Sequence, residues 1–285
     1  MTIQRQNSMF SDEQHDLFRT VGFVRLEGAV PSSDVKRMRD RAWALLEQQG
    51  FAEMDRATWR PGPVSHLKGL KSGEQPLDEN PIVAAALDVV FGEGGWVPPS
   101  DWGQPLVNFP KTNDGTWLMP SSVWHFDHHY LHPGEITGVN VFLFISDVEP
   151  AGGGTVVVQA SPLLADRMHE QGPAIKKLSD QNKRFLGSHP WLQGLKTKKS
   201  NRNIERNQRY MDHDTDIDGI AARVTELTGK AGDVIVCHPA LFHAGAPNVS
   251  DKPRLMRAAR VMSTSMVAAQ RAHSMGQSAS DSSPV

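Results

Sequence analysis

Four of the chain's 12 histidines fall in the stretch WHFDHHYLHPG, at His125, His128, His129 and His132, with Asp127 among them. Imidazole nitrogen and carboxylate oxygen are the ligands of the 2-His-1-carboxylate facial triad, a set that binds Fe(II) and leaves coordination positions open. In a strand, side chains alternate between faces. His125 and Asp127 then point one way, and Trp124, Phe126 and His128 the other, so H-x-D offers two ligands to one point. His129 shares that face two residues further along, and His132 falls where Pro133 and Gly134 signal a turn. Alone, H-x-D is a common chance match and does not specify a metal site.

A third ligand has to come from elsewhere. The segment GDVIVCHPALFHAGAPNVSDKPRLMRAAR runs through an apolar strand and then presents two histidines, His238 and His243. A Pro-Asn turn and a basic strand follow, with Arg254 eleven residues after His243. An arginine on the next antiparallel strand can grip a carboxylate through two parallel hydrogen bonds. Between the two segments, DVEPAGGGTVVVQASP enters a strand through glycines, which let the backbone turn sharply or pass close to another chain.

These residues need a scaffold. SDEQHDLFRTV reads as a capped helix, GFVRLEGAV as a short strand, and PSSDVKRMRDRAWALLEQQG as a helix stopped by Gly50. Residues 51–79 read as polar loop. NPIVAAALDVVFG is a helix with Asn80 at its cap and Pro81 at its first position. From about residue 97 short apolar segments alternate with Gly, Pro, Asn and Asp: PLVNF, SVWHFDHHY, GVNVFLFIS, GTVVVQA, ARVTELT, DVIVCH and RLMRAARVMS. That pattern is all-β, a sandwich or barrel. SPLLADRMHEQ is the one helix expected inside it. The expected organisation is a single domain over 10–265, with N-terminal helices in 10–95, a β core in 97–265 and a disordered polar tail at 266–285.

Composition excludes several classes. Net charge is −2, which gives no general attraction to nucleic acid or anionic membrane. No apolar run approaches the ~18 residues of a membrane span, and MTIQRQNSMFSDEQ lacks a signal core. The single cysteine, Cys237, excludes an internal disulfide and suits a reducing compartment, so a cytoplasmic location is expected. Between Lys176 and Arg209 basic residues outnumber acids ten to two. Such a run reads first as a solvated, mobile loop, or else as a cover over a pocket for an anionic substrate. DTDIDG, at 214–219, imitates half of a calcium loop. Its twelfth position is Thr225 where a glutamate is required, so it reads as a turn. Cys237, in an apolar run, reads as buried filler.

From about Phe10 to Thr264 the chain resembles the phytanoyl-CoA dioxygenase family of Fe(II)/2-oxoglutarate oxygenases. The resemblance lies in the opening FSDEQHDLFRTVGFVRLEGAVPSSDVKRMRDRAW, then VWHFDHHY, DVEPAGGGTVVV and GDVIVCHPALFHAGAPNVSDKPR. It implies a double-stranded β-helix (jelly-roll) core with flanking helices. It makes His125, Asp127 and His243 the iron ligands and catalytic centre, and Arg254 the partner of the distal carboxylate of 2-oxoglutarate. Thr155 and Asn108 become further cosubstrate contacts, and His238, His128, His129 and His132 neighbours or rim. VVVQASP and Gly245 depart from the family's usual pattern at the finer cosubstrate contacts. The implied cofactors are Fe(II), 2-oxoglutarate and O₂, and the implied reaction couples release of succinate and CO₂ to oxidation of a small molecule. Retention of Asp127, which related halogenases replace by a small residue, favours hydroxylation over halogenation. Desaturation, epimerisation, demethylation or silent ligand binding at the same centre are the alternatives, and neither the substrate nor the oligomeric state is specified by the sequence.

Overall fold

A computed structural model of the chain describes residues 10–64, 67, 76–111, 115–129, 132–173, 175, 177–198 and 201–281, with side chains as far as 272. The N-terminal region holds α1 (Asp12–Thr20), β1 (Phe23–Leu26), α2 (Ser32–Gln48), β2 (Gly62–Val64), α3 (Pro81–Phe91) and β3 (Trp96–Val97). The first helix is closed by a capping box, in which Ser11 Oγ accepts from the Gln14 amide and Gln14 Oε1 from the Ser11 amide. The third starts as its sequence suggests, with the Asn80 side chain accepting from the Ile82 and Val83 amides.

The rest of the chain holds β4 (Gln104–Phe109), β5 (Gly138–Phe144), β6 (Thr155–Val158), α4 (Ser161–Glu170), α5 (Leu178–Gly187), α6 (Pro190–Gln193) and α7 (Ile204–Met211). It continues with β7 (Thr215–Ile217), β8 (Ile220–Ala222), β9 (Val224–Leu227), β10 (Val234–Cys237), β11 (His243–Gly245), β12 (Arg254–Ser263) and α8 (Thr264–Asp281). Strands pair antiparallel in a large sheet of order β1-β10-β5-β12-β4-β2, with β3 on β12, and a small sheet of order β11-β6-β9. The N-terminal region is therefore joined to the β core, since β1 and β2 are strands of its large sheet.

Alternation along the strands sorts side chains into layers. Val139, Val141 and Leu143 of β5 and Leu255, Ala259 and Val261 of β12 pack with the N-terminal helices. Phe142 and Phe144 of β5, Met256 of β12, Ile235 and Cys237 of β10, Val157 of β6 and Leu227 of β9 meet between the two sheets. Val156 and Val158 face the opposite way, toward α4 to α7. The fold is thus mainly β with flanking helices, two sheets enclosing an inner layer. Period 2 places Asn108, Asn140, Thr155, Arg254 and Arg260 on that inner side.

Three expectations are corrected. SVWHFDHHY is not a strand: its described part is irregular backbone with one bridge, His125 to His243. The basic insert is not a mobile loop but the helices α5 to α7, which bury Phe185, Leu186, Trp191, Leu192 and Tyr210 (Lys176 and Lys199 lie outside the described residues). Apolar residues between the charges close a second core, and α4 is not the only helix of this half. The tail continues from β12 as α8, with the Thr264 amide bound to Gly95 O, although the end of the tail, 282–285, lies outside the described residues. Its Met, Ala, Gln and Arg content supports helix despite the polar composition. DTDIDG is a turn as expected, the β7–β8 hairpin, with Asp218 at φ 52° and Gly219 at φ 84°.

Candidate metal centre

His125 is bridged antiparallel to His243, the first residue of β11. Each backbone amide donates to the other's carbonyl, at 2.9 and 3.0 Å, and the two rings lie 4.4 Å apart. A single hydrogen-bonded pair suffices to put both imidazoles on one face. Around it the backbone keeps the expected alternation as far as Asp127 without being a strand: Trp124 and Phe126 pack into the core beside α4 to α7, while His125 and Asp127 turn the other way; His128 breaks the pattern and lies on the side of Asp127, against Asn140. Among the described residues, His125, Asp127 and His243 bring one ligand atom each to within 4.8 Å of one another.

The ring orientations are fixed from behind. His125 Nδ1 lies 2.7 Å from Val123 O and His243 Nδ1 2.9 Å from Leu241 O. A carbonyl only accepts, so each Nδ1 carries a proton, and Nε2 is the nitrogen turned toward the centre, available to an ion in the neutral ring. His125 Nε2 is 3.6 Å from Asp127 Oδ1, and His243 Nε2 is 3.3 Å from Asp127 Oδ2. Val123 adopts φ 60°, a left-handed conformation that is strained for a β-branched residue, next to the site it supports. Burial pushes the Asp127 carboxyl up, but His125 and His243, assisted by Arg260, outweigh it and hold it far below the usual carboxylate range. The Asp127 carboxylate beside its Nε2 in turn raises the His125 pKa, against a smaller opposing effect of burial. An ionised carboxylate between two imidazoles is the donor set that a divalent ion of intermediate softness takes.

Helices α5 and α7 hold the irregular segment that carries His125 and Asp127. Asn182 Oδ1 accepts from the Phe126 amide at 2.8 Å, and Asn207 bonds Met119 N and Trp117 O. Buried Arg206 donates to the carbonyls of Met119, Pro120 and Leu195 at 3.1, 3.1 and 2.7 Å, and Arg202 donates to Leu118 O. Backbone groups that no strand satisfies are thereby paired. These arginines serve the fold, and their place is not that of a lid.

A second polar group lies on the inner face of β12 and β4. Arg254 stands opposite Asn108 in register and is buried. Among the described residues its Nε has no hydrogen-bond partner, and neither has Asn108 Oδ1, while Asn108 Nδ2 donates to Ala246 O. Burial lowers Arg254 to about 10, with Glu226 opposing, so it stays a cation at neutral pH. Thr155 opens β6 opposite Gly245, also buried. The glycines before it have the expected use. Gly153 sits at φ 82°, and a Cβ there would lie 2.7 Å from Asn108 Nδ2. The Glu226 carboxylate clamps this loop, accepting from the Ala151 and Gly154 amides.

The remaining histidines separate cleanly. His238 is buried, accepts from the Ala240 amide and packs against Phe18 with the rings tilted by 54°, outside the centre. His129 Nε2 bonds Ile175 O and His132 is exposed. His128 is not on the rim: it is 4% exposed, and burial pushes its pKa down to about 4. Its Nε2 meets Asn140 Oδ1, and Asn140 Nδ2 donates to Asp127 Oδ2 at 2.7 Å. Arg260 forms an ion pair with Asp127 Oδ1. Neither Asn140 nor Arg260 was singled out from the sequence. The signals were present: a lone amide in the apolar strand GVNVFLF, and an arginine an even number of residues beyond Arg254.

The phytanoyl-CoA dioxygenase (PhyH) family model matches residues 18–256. The chain belongs to that family. It is accordingly an oxidoreductase of the iron- and 2-oxoglutarate-dependent class, and the donor set and buried arginine of this phytanoyl-CoA dioxygenase relative fit both groups. No curated protein matches the chain. Solved structures similar to it include the non-heme alpha ketoglutarate dependent carbocyclase SnoK from nogalamycin biosynthesis (17% identity, 88% of this chain and 83% of that one, TM-score 0.46). HygX from Streptomyces hygroscopicus with nickel, 2-oxoglutarate and hygromycin B bound is 17% identical (89% and 88% covered, TM-score 0.47). EctD from S. alaskensis in its apoform is 16% identical (93% and 81% covered, TM-score 0.48). Among the described residues no helix is long and apolar enough to cross a membrane.

Proposed function

We propose that the chain is a dioxygenase that hydroxylates a C–H bond of a small molecule, with His125, Asp127 and His243 as the iron ligands. The observation that carries this reading is the convergence of those three side chains, drawn from segments more than a hundred residues apart. Iron and 2-oxoglutarate, when bound, supply the oxidising chemistry, coupled to release of succinate and CO₂. The chain supplies the rest. The two imidazoles present Nε2 because their Nδ1 protons are held by Val123 O and Leu241 O. Arg254 offers its buried, unpartnered Nε to the distal carboxylate of 2-oxoglutarate, with Asn108 and Thr155 beside it as further contacts. Phe142, Phe144, Met256 and Val157 give the inner layer an apolar wall against water. Asp127 fills the carboxylate position, which supports hydroxylation.

Arg260 supports an anionic substrate better than the basic insert does. It lies beside Asp127 with its side chain 62% exposed, whereas Arg202 and Arg206 are engaged with backbone carbonyls. The test is succinate release by purified protein given Fe(II), 2-oxoglutarate, O₂ and a panel of acidic and neutral small molecules, with product masses recorded. Gain of one oxygen by the product is expected. Loss of two hydrogens would replace hydroxylation by desaturation. Iron loading that survives removal of both His125 and His243 would overturn the ligand set.

A further inference from the structure

We propose that Asn140 is a positioning residue for Asp127, and that His128 acts through it by fixing the direction of its amide. The proposal rests on the reading of Asp127 as a metal ligand. Asn140 is 5% exposed on the inner side of β5, and both ends of its amide are used. Nδ2 lies 2.7 Å from Asp127 Oδ2 and Oδ1 lies 3.1 Å from His128 Nε2. A carboxylate only accepts, so the amide nitrogen must face Asp127. The amide oxygen then faces His128, and His128 Nε2 must carry the proton. The chain of donors therefore has one direction, from His128 through Asn140 to Asp127.

The local sequence is shaped around this chain. Gly138 precedes Asn140 by two residues on the same face. A Cβ at Gly138 would lie 2.6 Å from His128 Nδ1 and 2.7 Å from its Cε1. The glycine leaves room here for the ring and for the Val261 carbonyl, 2.9 Å from the same Cβ position, and is not needed for backbone conformation. Thr137 Oγ1 donates to His129 O, tying the residue after His128 to the start of the same strand. The consequence for Asp127 concerns its two oxygens. Oδ2 accepts from the Asn140 amide and faces His243 Nε2, while Oδ1 faces His125 Nε2 and pairs with Arg260. The buried Asn140 donor, more than the exposed Arg260 on the other oxygen, sets the rotation of the carboxylate toward the two imidazoles.

The test uses the full chain and Mn(II) as the probe, with affinity read by electron paramagnetic resonance. Each protein is also melted thermally with chelator present. Asn140→Leu, which keeps the volume and removes the donor, is expected to weaken Mn(II) binding by ~10–100-fold while the chelated protein still melts cooperatively. Asn140→Ala serves if the leucine does not fit. His128→Phe is expected to cost less, and to cost nothing further when combined with Asn140→Leu, because its effect passes through the amide. Wild-type Mn(II) affinity in an Asn140 variant that folds would overturn the proposal, as would losses that multiply in the double variant. Non-cooperative melting of both Asn140 variants would make it a packing residue and overturn the proposal equally. Asp127→Ala separates the two readings. If that variant binds Mn(II) like the wild type, the ligand assignment itself fails, whatever Asn140 does.

Discussion

Asn108, Asn140 and Arg254 stand on strands tied to their neighbours residue by residue, whereas His125 and Asp127 stand on irregular backbone with one bridge to β11. In the first region a side chain's direction follows from register. A one-residue slip would turn it to the helix side. In the second region direction is supplied by other side chains: Asn182, Arg202, Arg206 and Asn207 occupy the amides and carbonyls that a neighbouring strand would have taken. The candidate metal centre is thus assembled from a rigid lattice on one side and a borrowed framework on the other. The borrowed side is the one that α5 to α7 can disturb.

Breaking the borrowed side should have the largest effect. Arg206→Ala removes the donor to three buried carbonyls, each unsatisfied polar group costing ~1–3 kcal/mol. A loss of several kcal/mol in urea unfolding is expected, together with weakened Mn(II) binding. Unchanged metal affinity in a destabilised Arg206 variant would show that the insert does not position His125 and Asp127. On the lattice side, Arg254→Met should leave metal affinity within about twofold and weaken 2-oxoglutarate binding by roughly 100-fold or more, the cost of removing a buried charged donor from a carboxylate. Titrating 2-oxoglutarate into Mn(II)-loaded protein checks both halves of that statement.

Acid sharpens the comparison by acting on buried imidazoles in each region. His128 and His238 have folded pKa values pushed down by burial, to about 4 and about 3. A histidine depressed in this way takes up its proton on unfolding throughout the interval between its folded value and the ordinary 6.5. Stability of the chelated protein should therefore fall as pH drops below about 6.5, by at most ~1.4 kcal/mol per pH unit for each group. His125 is shifted the opposite way, so its contribution is present at low pH and is lost as pH rises through its raised value. Urea midpoints between pH 7 and pH 4.5 measure the sum. His238→Asn, which keeps an acceptor for the Ala240 amide, should flatten the slope. The smallest expected change is from Val123→Gly. Relief of a left-handed β-branched residue offset by glycine's entropy leaves a gain of no more than about 1 kcal/mol. Metal affinity should decline slightly as the Val123 carbonyl loses its fixed aim at His125, and a rise in both stability and affinity would remove any role for the strain.

What could be read from the sequence divides along the same line. Period 2 puts Asn108 and Arg254 on one face, and the paired strands β4 and β12 keep them there. The same alternation gave His125 and Asp127 a common face, and that face survives although the strand does not, because extended backbone alternates with or without a ladder. The insert was illegible for a different reason. A count of charges hides the apolar positions Phe185, Leu186, Trp191, Leu192 and Tyr210 that close the second core, and the burial of Arg206 depends on the carbonyls of Met119 and Pro120, 87 and 86 residues earlier. Asn140 was hidden by pairing: an amide inside an apolar strand points to a buried partner, but Asp127 as that partner emerges only when the chain is folded. In the tail, Met, Ala, Gln and Arg favour a helix that polar composition alone does not suggest.

The bridge between His125 and His243 has a consequence for the order of events during folding. These two residues can exchange their backbone hydrogen bonds only after the intervening chain, including β5, β6 and the helical insert, has been laid down between them. Closing so long a loop is slow and comes after local structure has formed. With His125, Asp127 and His243 as the proposed ligands, ion capture is expected to be a late event, available to the completed sheet and not to a growing chain. A refolding experiment with Mn(II) present from the start should show helical signal returning before the ion becomes bound, with the lag marking the arrival of β11 at its partner.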